Sequence, residues 1–138
     1  MTLEVVQLAY RPRKAFMPFH NRTQRWACVV AHRRAGKTVA AINDIIRAAI
    51  MYQGPNPLFG YICPFRIQAK SVAWDYLKAY AAPITASTNE SELTVRLVNG
   101  AVIRLFGADN ADAMRGLGFS GIFMDEYGDF RQIGRAHV

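Results

Sequence analysis

Residues 31–38 read Ala-His-Arg-Arg-Ala-Gly-Lys-Thr, and the last three are the residue types that bind a polyphosphate. Consecutive backbone N–H groups at a helix N-terminus converge on an anion, and glycine lets the backbone come close. A lysine after that glycine reaches the β- and γ-phosphates, and the neighbouring hydroxyl suits Mg²⁺. Gly36, Lys37 and Thr38 supply this order, with Ala35 and Arg34 completing the loop. The glycine that ordinarily opens such a loop is replaced by Ala31. A second stretch, Gly-Ile-Phe-Met-Asp-Glu at 121–126, ends an apolar run in two acids. In nucleotide hydrolysis one acid at a strand end serves the metal, and a neighbour orients or deprotonates the attacking water. Asp125 is the expected metal-side residue and Glu126 the expected base, which makes ATP and Mg²⁺ the expected ligands. Gly-Lys-Thr alone recurs by chance, and a strand running into a polar turn is common. Their occurrence together in one short chain gives both weight.

Such residues act only if a strand-to-helix junction presents them. Trp26 to Ala31 is a short continuous apolar run, as in a strand buried on both faces. From Thr38, the apolar residues Val39, Ile42, Ile45, Ile46, Ala49 and Ile50 recur at spacings of three and four until Gly-Pro-Asn-Pro at 54–57 stops them. Leu58 to Cys63 predicts a strand ended by Pro64, and the spacing from Ala69 to Tyr80 predicts a helix ending before Pro83. Two β-rich runs, Leu93 to Val98 and Ala101 to Phe106, flank Asn99-Gly100, the signal of a two-residue hairpin. Residues 107–118 predict a loop, and Phe119 to Met124 a strand that delivers Asp125. The alternation predicts an α/β fold with a mostly parallel sheet and flanking helices.

Other motifs carry less. Gly116 to Gly121 spells a dinucleotide fingerprint, but it precedes a strand instead of following one. Tyr-Gly-Asp-Phe at 127–130 has the wrong letter order for a kinase metal triplet. His20, His32 and His137 share no metal-ligand spacing. Cys28 and Cys63 lie in apolar runs and read as buried reduced thiols.

The chain has 138 residues, 51% of them hydrophobic, room for at most one domain. No stretch approaches the roughly 18 apolar residues of a membrane span, so no membrane partner is expected. The net charge of +7 is uneven: Arg11, Arg13, Lys14, Arg22, Arg25, Arg33, Arg34 and Lys37 occur with no acid between Glu4 and Asp44. A polyanion is the natural partner of that segment, although a solvated basic face is the commoner outcome of a charge run.

Arg33 to Thr38, with Ile-Phe-Met-Asp-Glu downstream, resembles the ATPase half of phage terminase large subunits, the motors that package DNA into capsids. The stretches at 11–38, 61–78 and 98–126 resemble the entry to that domain, its second strand and helix, and its hairpin, loop and Walker B strand. The resemblance implies a P-loop NTPase of the additional-strand type. In that family the loop often lacks its first glycine and carries an arginine three positions before the Gly-Lys pair, here Arg33. It therefore implies Arg33 near the γ-phosphate, with Arg34 as the competing candidate. It also implies Lys37 and Thr38 on phosphate and Mg²⁺, Asp125 on Mg²⁺, and Glu126 as base. Phe19 and His20 stand where relatives contact adenine, and Arg66, Gln68, Arg115 and Gly116 resemble positions that face DNA or couple the loop to it. The implied partners are double-stranded DNA, a portal protein, a small terminase subunit and further copies in a ring, within the host cell cytoplasm.

The last six residues, Ile-Gly-Arg-Ala-His-Val, resemble what a sequencing-library adapter encodes. Residues 1–132 are then expected to be the N-terminal portion of the ATPase domain and 133–138 an artefact tail, with the nuclease domain absent. A strand that follows Walker B in this family would be absent too, so the chain alone is expected to hydrolyse ATP poorly or not at all. Two other readings stay open: a helicase or other translocase of the same superfamily, and a non-catalytic nucleic-acid-binding module.

Overall fold

The computed structural model describes residues 10–23 and 36–125. Its centre is a mixed sheet with strand order β2-β3-β4-β1-β5. The strands are β1 (Leu58–Cys63), β2 (Thr85–Asn89), β3 (Thr94–Leu97), β4 (Val102–Gly107) and β5 (Gly121–Met124). β1 pairs parallel with both β4 and β5, and β3 pairs antiparallel with β2 and β4. The expected strand at 26–31 lies outside the described residues.

One sheet face carries the main core. Helix α2 (Lys37–Met51) lays Ala41, Ile42, Ile45, Ile46 and Ala49 on Phe59, Tyr61, Ile103 and Leu105, all buried. These helix positions recur every three to four residues, so they form one apolar stripe. A smaller cluster on the opposite face joins Ile62, Phe106 and Ala108 with the partly buried Met114 and Phe119. A short helix α1 (Met17–His20) precedes this core.

The second helical run starts earlier than its apolar spacing indicates. It consists of α3 (Arg66–Ala69), a π-type segment (Lys70–Trp74) and α4 (Asp75–Ala81). A 3₁₀ turn, Ala82–Ile84, follows and takes in Pro83 near its start, where a missing N–H costs nothing. The early start comes from a cap supplied in space: Asp109 Oδ1 accepts the Arg66 backbone N–H at 3.0 Å. A Cβ on Gly107 would lie 2.1 Å from that same nitrogen, so only glycine lets the end of β4 approach the helix.

The hairpin forms, but its connection has three residues instead of two. The Leu97 N–H bonds the Ala101 carbonyl at 2.8 Å around Val98, Asn99 and Gly100. Gly100 alone among the three has positive φ, at 89°. The Asn99 side chain explains the change: its Nδ2 donates to the Ala49 and Ile50 carbonyls, each at 3.0 Å, and its Oδ1 accepts the Ala101 N–H at 3.1 Å. The residue that suggested a tight turn instead closes the C-terminal end of α2. Two further elements differ from expectation. β2 is an exposed, mainly polar edge strand, and residues expected as loop include a 3₁₀ segment, Ala108–Met114.

Candidate functional site

Gly36 precedes α2 with φ 86° and ψ 20°, a left-handed conformation that glycine adopts without penalty. The position that holds Ser, Thr or Asp in many helices therefore has no capping side chain. Lys37 and Thr38 open a helix of 15 residues, whose aligned peptide dipoles favour negative charge at this end. β5 runs parallel to β1 on the adjoining edge, and the Asp125 N–H continues the ladder by bonding the Ile62 carbonyl at 2.8 Å. Helix start and strand end thus meet at the carboxyl edge of the parallel strands, where open α/β sheets take ligands.

Their side chains converge. Lys37 Nζ lies 3.3 Å from Asp125 Oδ1, with the lysine side chain 27% exposed and the aspartate 6%. The other oxygen, Oδ2, accepts a hydrogen bond from the Tyr61 hydroxyl. Tyr61 is fully buried, and its ring stacks on Phe123 with centroids 5.4 Å apart. Burial first, and then the bond to Asp125, push the phenol far above its ordinary ionisation range, while a hydrogen bond with the Thr38 side chain opposes the rise. Nothing in the sequence singled out Tyr61. Its signal was a phenol within the otherwise apolar Leu58–Cys63 run, whose buried hydroxyl must find a partner.

This corner can hold a phosphate with its cation. The helix start offers backbone donors and an ammonium, while Thr38 and Asp125 offer the hard oxygen donors that Mg²⁺ prefers. Mg²⁺ is commonly held by one or two carboxylates together with substrate phosphates. Among the described residues, no three or more His, Cys, Asp or Glu side chains gather as a metal cluster. Thr38 and Asp125 fit that Mg²⁺ pattern, as hard oxygen donors beside a phosphate-binding helix start.

Of the residues singled out in the sequence, Gly36, Lys37, Thr38 and Asp125 come together. Arg33, Arg34, Ala35 and Glu126 lie outside the described residues. Phe19 and His20 sit on α1, docked on the flank of α2. His20 Nδ1 is 3.1 Å from Asp44 Oδ1, and its Nε2 is 2.7 Å from the Tyr10 hydroxyl. Its side chain is only 5% exposed, so both ring nitrogens serve this buried tie, and a contact to adenine would require the tie to open. Arg22 also pairs with Asp44, at 2.9 Å, and its guanidinium lies 4.3 Å from the centre of the Phe19 ring. A Cβ built on Gly36 would meet Phe16 at 3.8 Å and Arg13 at 4.0 Å, so residues 10–23 reach the loop itself.

The residues expected to face DNA scatter into local roles. Arg66 bonds the Ser91 carbonyl through Nη2, Gln68 is half-buried on α3, and the exposed Arg115 pairs with Asp112 at 3.2 Å. Gly116 has φ 80°. Cys63 is a buried free thiol, as expected, and Cys28 lies outside the described residues. No described helix is long and apolar enough to cross a membrane.

A helix start and a strand-end acid thus converge at the carboxyl edge of a mixed α/β sheet with flanking helices. A solved structure shares the architecture: the ATPase domain of the large terminase from Thermus phage P74-26 superposes with a TM-score of 0.68 over 94% of this chain. The two are 19% identical, so the likeness is one of fold, and it agrees with the resemblance carried by the sequence motifs. The chain spans 61% of the length of that structure. No family model matches the chain, and no curated protein sequence does.

Proposed function

We propose that the chain is the nucleotide-binding part of an ATP-hydrolysing motor that drives double-stranded viral DNA into a procapsid. The observation that carries this reading is the convergence of Lys37 and Asp125, 3.3 Å apart, at the junction of a helix start and a strand end. The terminase-like fold supports it.

In this reading Gly36 and the first turn of α2 bind phosphate oxygens through backbone N–H groups, and Lys37 moves from Asp125 to the β- and γ-phosphates. Thr38 and Asp125 would hold Mg²⁺, which when bound offsets charge on the phosphate oxygens and anchors them for in-line attack. Glu126, next in sequence to Asp125, takes the proton of the attacking water. Arg33, or Arg34 in its place, steadies charge on the transferred phosphoryl group, an effect of about 10³ to 10⁵ in rate for such arginines. Phe19 remains the candidate surface for the base. The partners are double-stranded DNA, a portal protein, a small terminase subunit and further copies of the motor in a ring, at work in the host cell cytoplasm.

The test is equilibrium binding of a fluorescent ATP analogue with Mg²⁺ to the wild-type chain beside Lys37→Ala. Removing one charge-assisted contact of about 1.5–3 kcal/mol should weaken binding roughly 10- to 100-fold, with the thermal transition retained. Equal binding by both proteins would refute the site.

A further inference from the structure

A phenol buried in a sheet must spend its hydroxyl somewhere, and the choice made by Tyr61 is informative. Tyr61 lies on β1 beneath α2, fully buried, with its ring fixed against Phe123. Its single O–H donates to Asp125 Oδ2. A side chain on β1 is thus bonded to the acid that follows β5. The opposite carboxylate oxygen, Oδ1, is left on the side facing Lys37.

We propose that Tyr61 is a positioning residue for the metal-binding half of this site, setting the rotation of the Asp125 carboxylate through its hydrogen bond to Oδ2. This role rests on the nucleotide-site reading above. With Oδ2 held by Tyr61, Asp125 directs Oδ1 to the side facing Lys37. The Asp125 backbone is already anchored through its N–H bond to Ile62, so the phenol removes the freedom left to the side chain. Side chains that orient metal ligands in this way typically govern cation affinity instead of overall folding.

The role separates from plain packing because it concerns the cation and not the nucleotide as a whole. Tyr61→Phe keeps the ring and removes only the hydroxyl. We expect nucleotide affinity in EDTA to stay within about twofold of wild type, and the gain in affinity on adding Mg²⁺ to shrink about 10- to 100-fold. The Asp125 carboxyl carbon resonance of the ligand-free chain should also move in Tyr61→Phe. An equal loss with and without Mg²⁺, an unchanged Mg²⁺ gain, or an unmoved Asp125 resonance overturns the proposal while Lys37→Ala still weakens binding by about 10- to 100-fold. If the wild-type chain binds no nucleotide, or Lys37→Ala binds as wild type does, the nucleotide-site reading fails and the positioning role fails with it.

Discussion

The two ends of α2 are built to opposite specifications. At the C-terminal end, Asn99 reaches across from the hairpin and donates to the Ala49 and Ile50 carbonyls while accepting the Ala101 N–H. The orphan carbonyls that end every helix are thereby answered by a side chain 50 residues away in sequence. At the N-terminal end, glycine occupies the capping position, and a lysine with a buried aspartate replaces the neutral polar pair that would close it. The positive end of the dipole and the lysine crowd together there, and the Asp125 carboxylate is the anion that answers them. One end of this helix is closed by neutral hydrogen bonds and the other by an ion pair.

Perturbations should divide along the same line. The largest effect belongs to the shared middle: Ile46, fully buried on the core face of α2, should cost about 2–5 kcal/mol when changed to Ala. Urea unfolding should show that loss, and hydrogen exchange should show both ends of α2 loosening together; loosening confined to one end would break the comparison. Asn99→Ala is expected to cost about 1 kcal/mol through its lost carbonyl contacts, by the same unfolding measurement, while nucleotide affinity is unchanged. A fall in affinity in that variant would mean the two ends are coupled.

The smallest effect lies outside α2, where Glu90 ties the helical run to the turn between β2 and β3. Its carboxylate accepts the Trp74 indole N–H at 2.6 Å and pairs with Lys78 at 2.9 Å. The indole bond first, and then Lys78, hold its ionisation below the ordinary glutamate range. A carboxyl with a lowered folded value contributes stability that is present above its unfolded value and is lost as pH falls through the folded one. Glu90→Gln should therefore flatten the acid limb of the stability profile and leave neutral-pH nucleotide binding unaltered. An unchanged acid limb would remove Glu90 from the account.

Much of this was legible in the residues because it rested on local signals. The period of Val39 to Ile50 marked α2, and the apolar run before Pro64 marked β1 at its observed bounds. Gly36, Lys37, Thr38 and Asp125 could be singled out because each residue type has a chemistry tied to its place on an element, and Lys37 and Asp125 do meet in the fold. What escaped was set by partners distant in sequence. Thr85–Asn89 pairs as an edge strand although its residues are polar and mostly exposed, so no alternation betrays it. Asn99-Gly100 carried the right turn chemistry, but the carbonyls of α2 claimed the asparagine side chain. Arg66 starts a helix because Asp109, 43 residues on, caps it. Tyr61 looked like one more strand residue, since only the folded sheet brings its hydroxyl to Asp125. His20 was singled out for an adenine contact, and its tie to Asp44 is set by how α1 docks.

The most direct test is amide hydrogen exchange of the wild-type chain with and without Mg²⁺ and an ATP analogue. Protection should rise at residues 36–41 and 121–125 and stay level at residues 49–52 and 97–101. No change at the first two segments, or equal protection at both ends of α2, would contradict the assignment of binding to the lysine end.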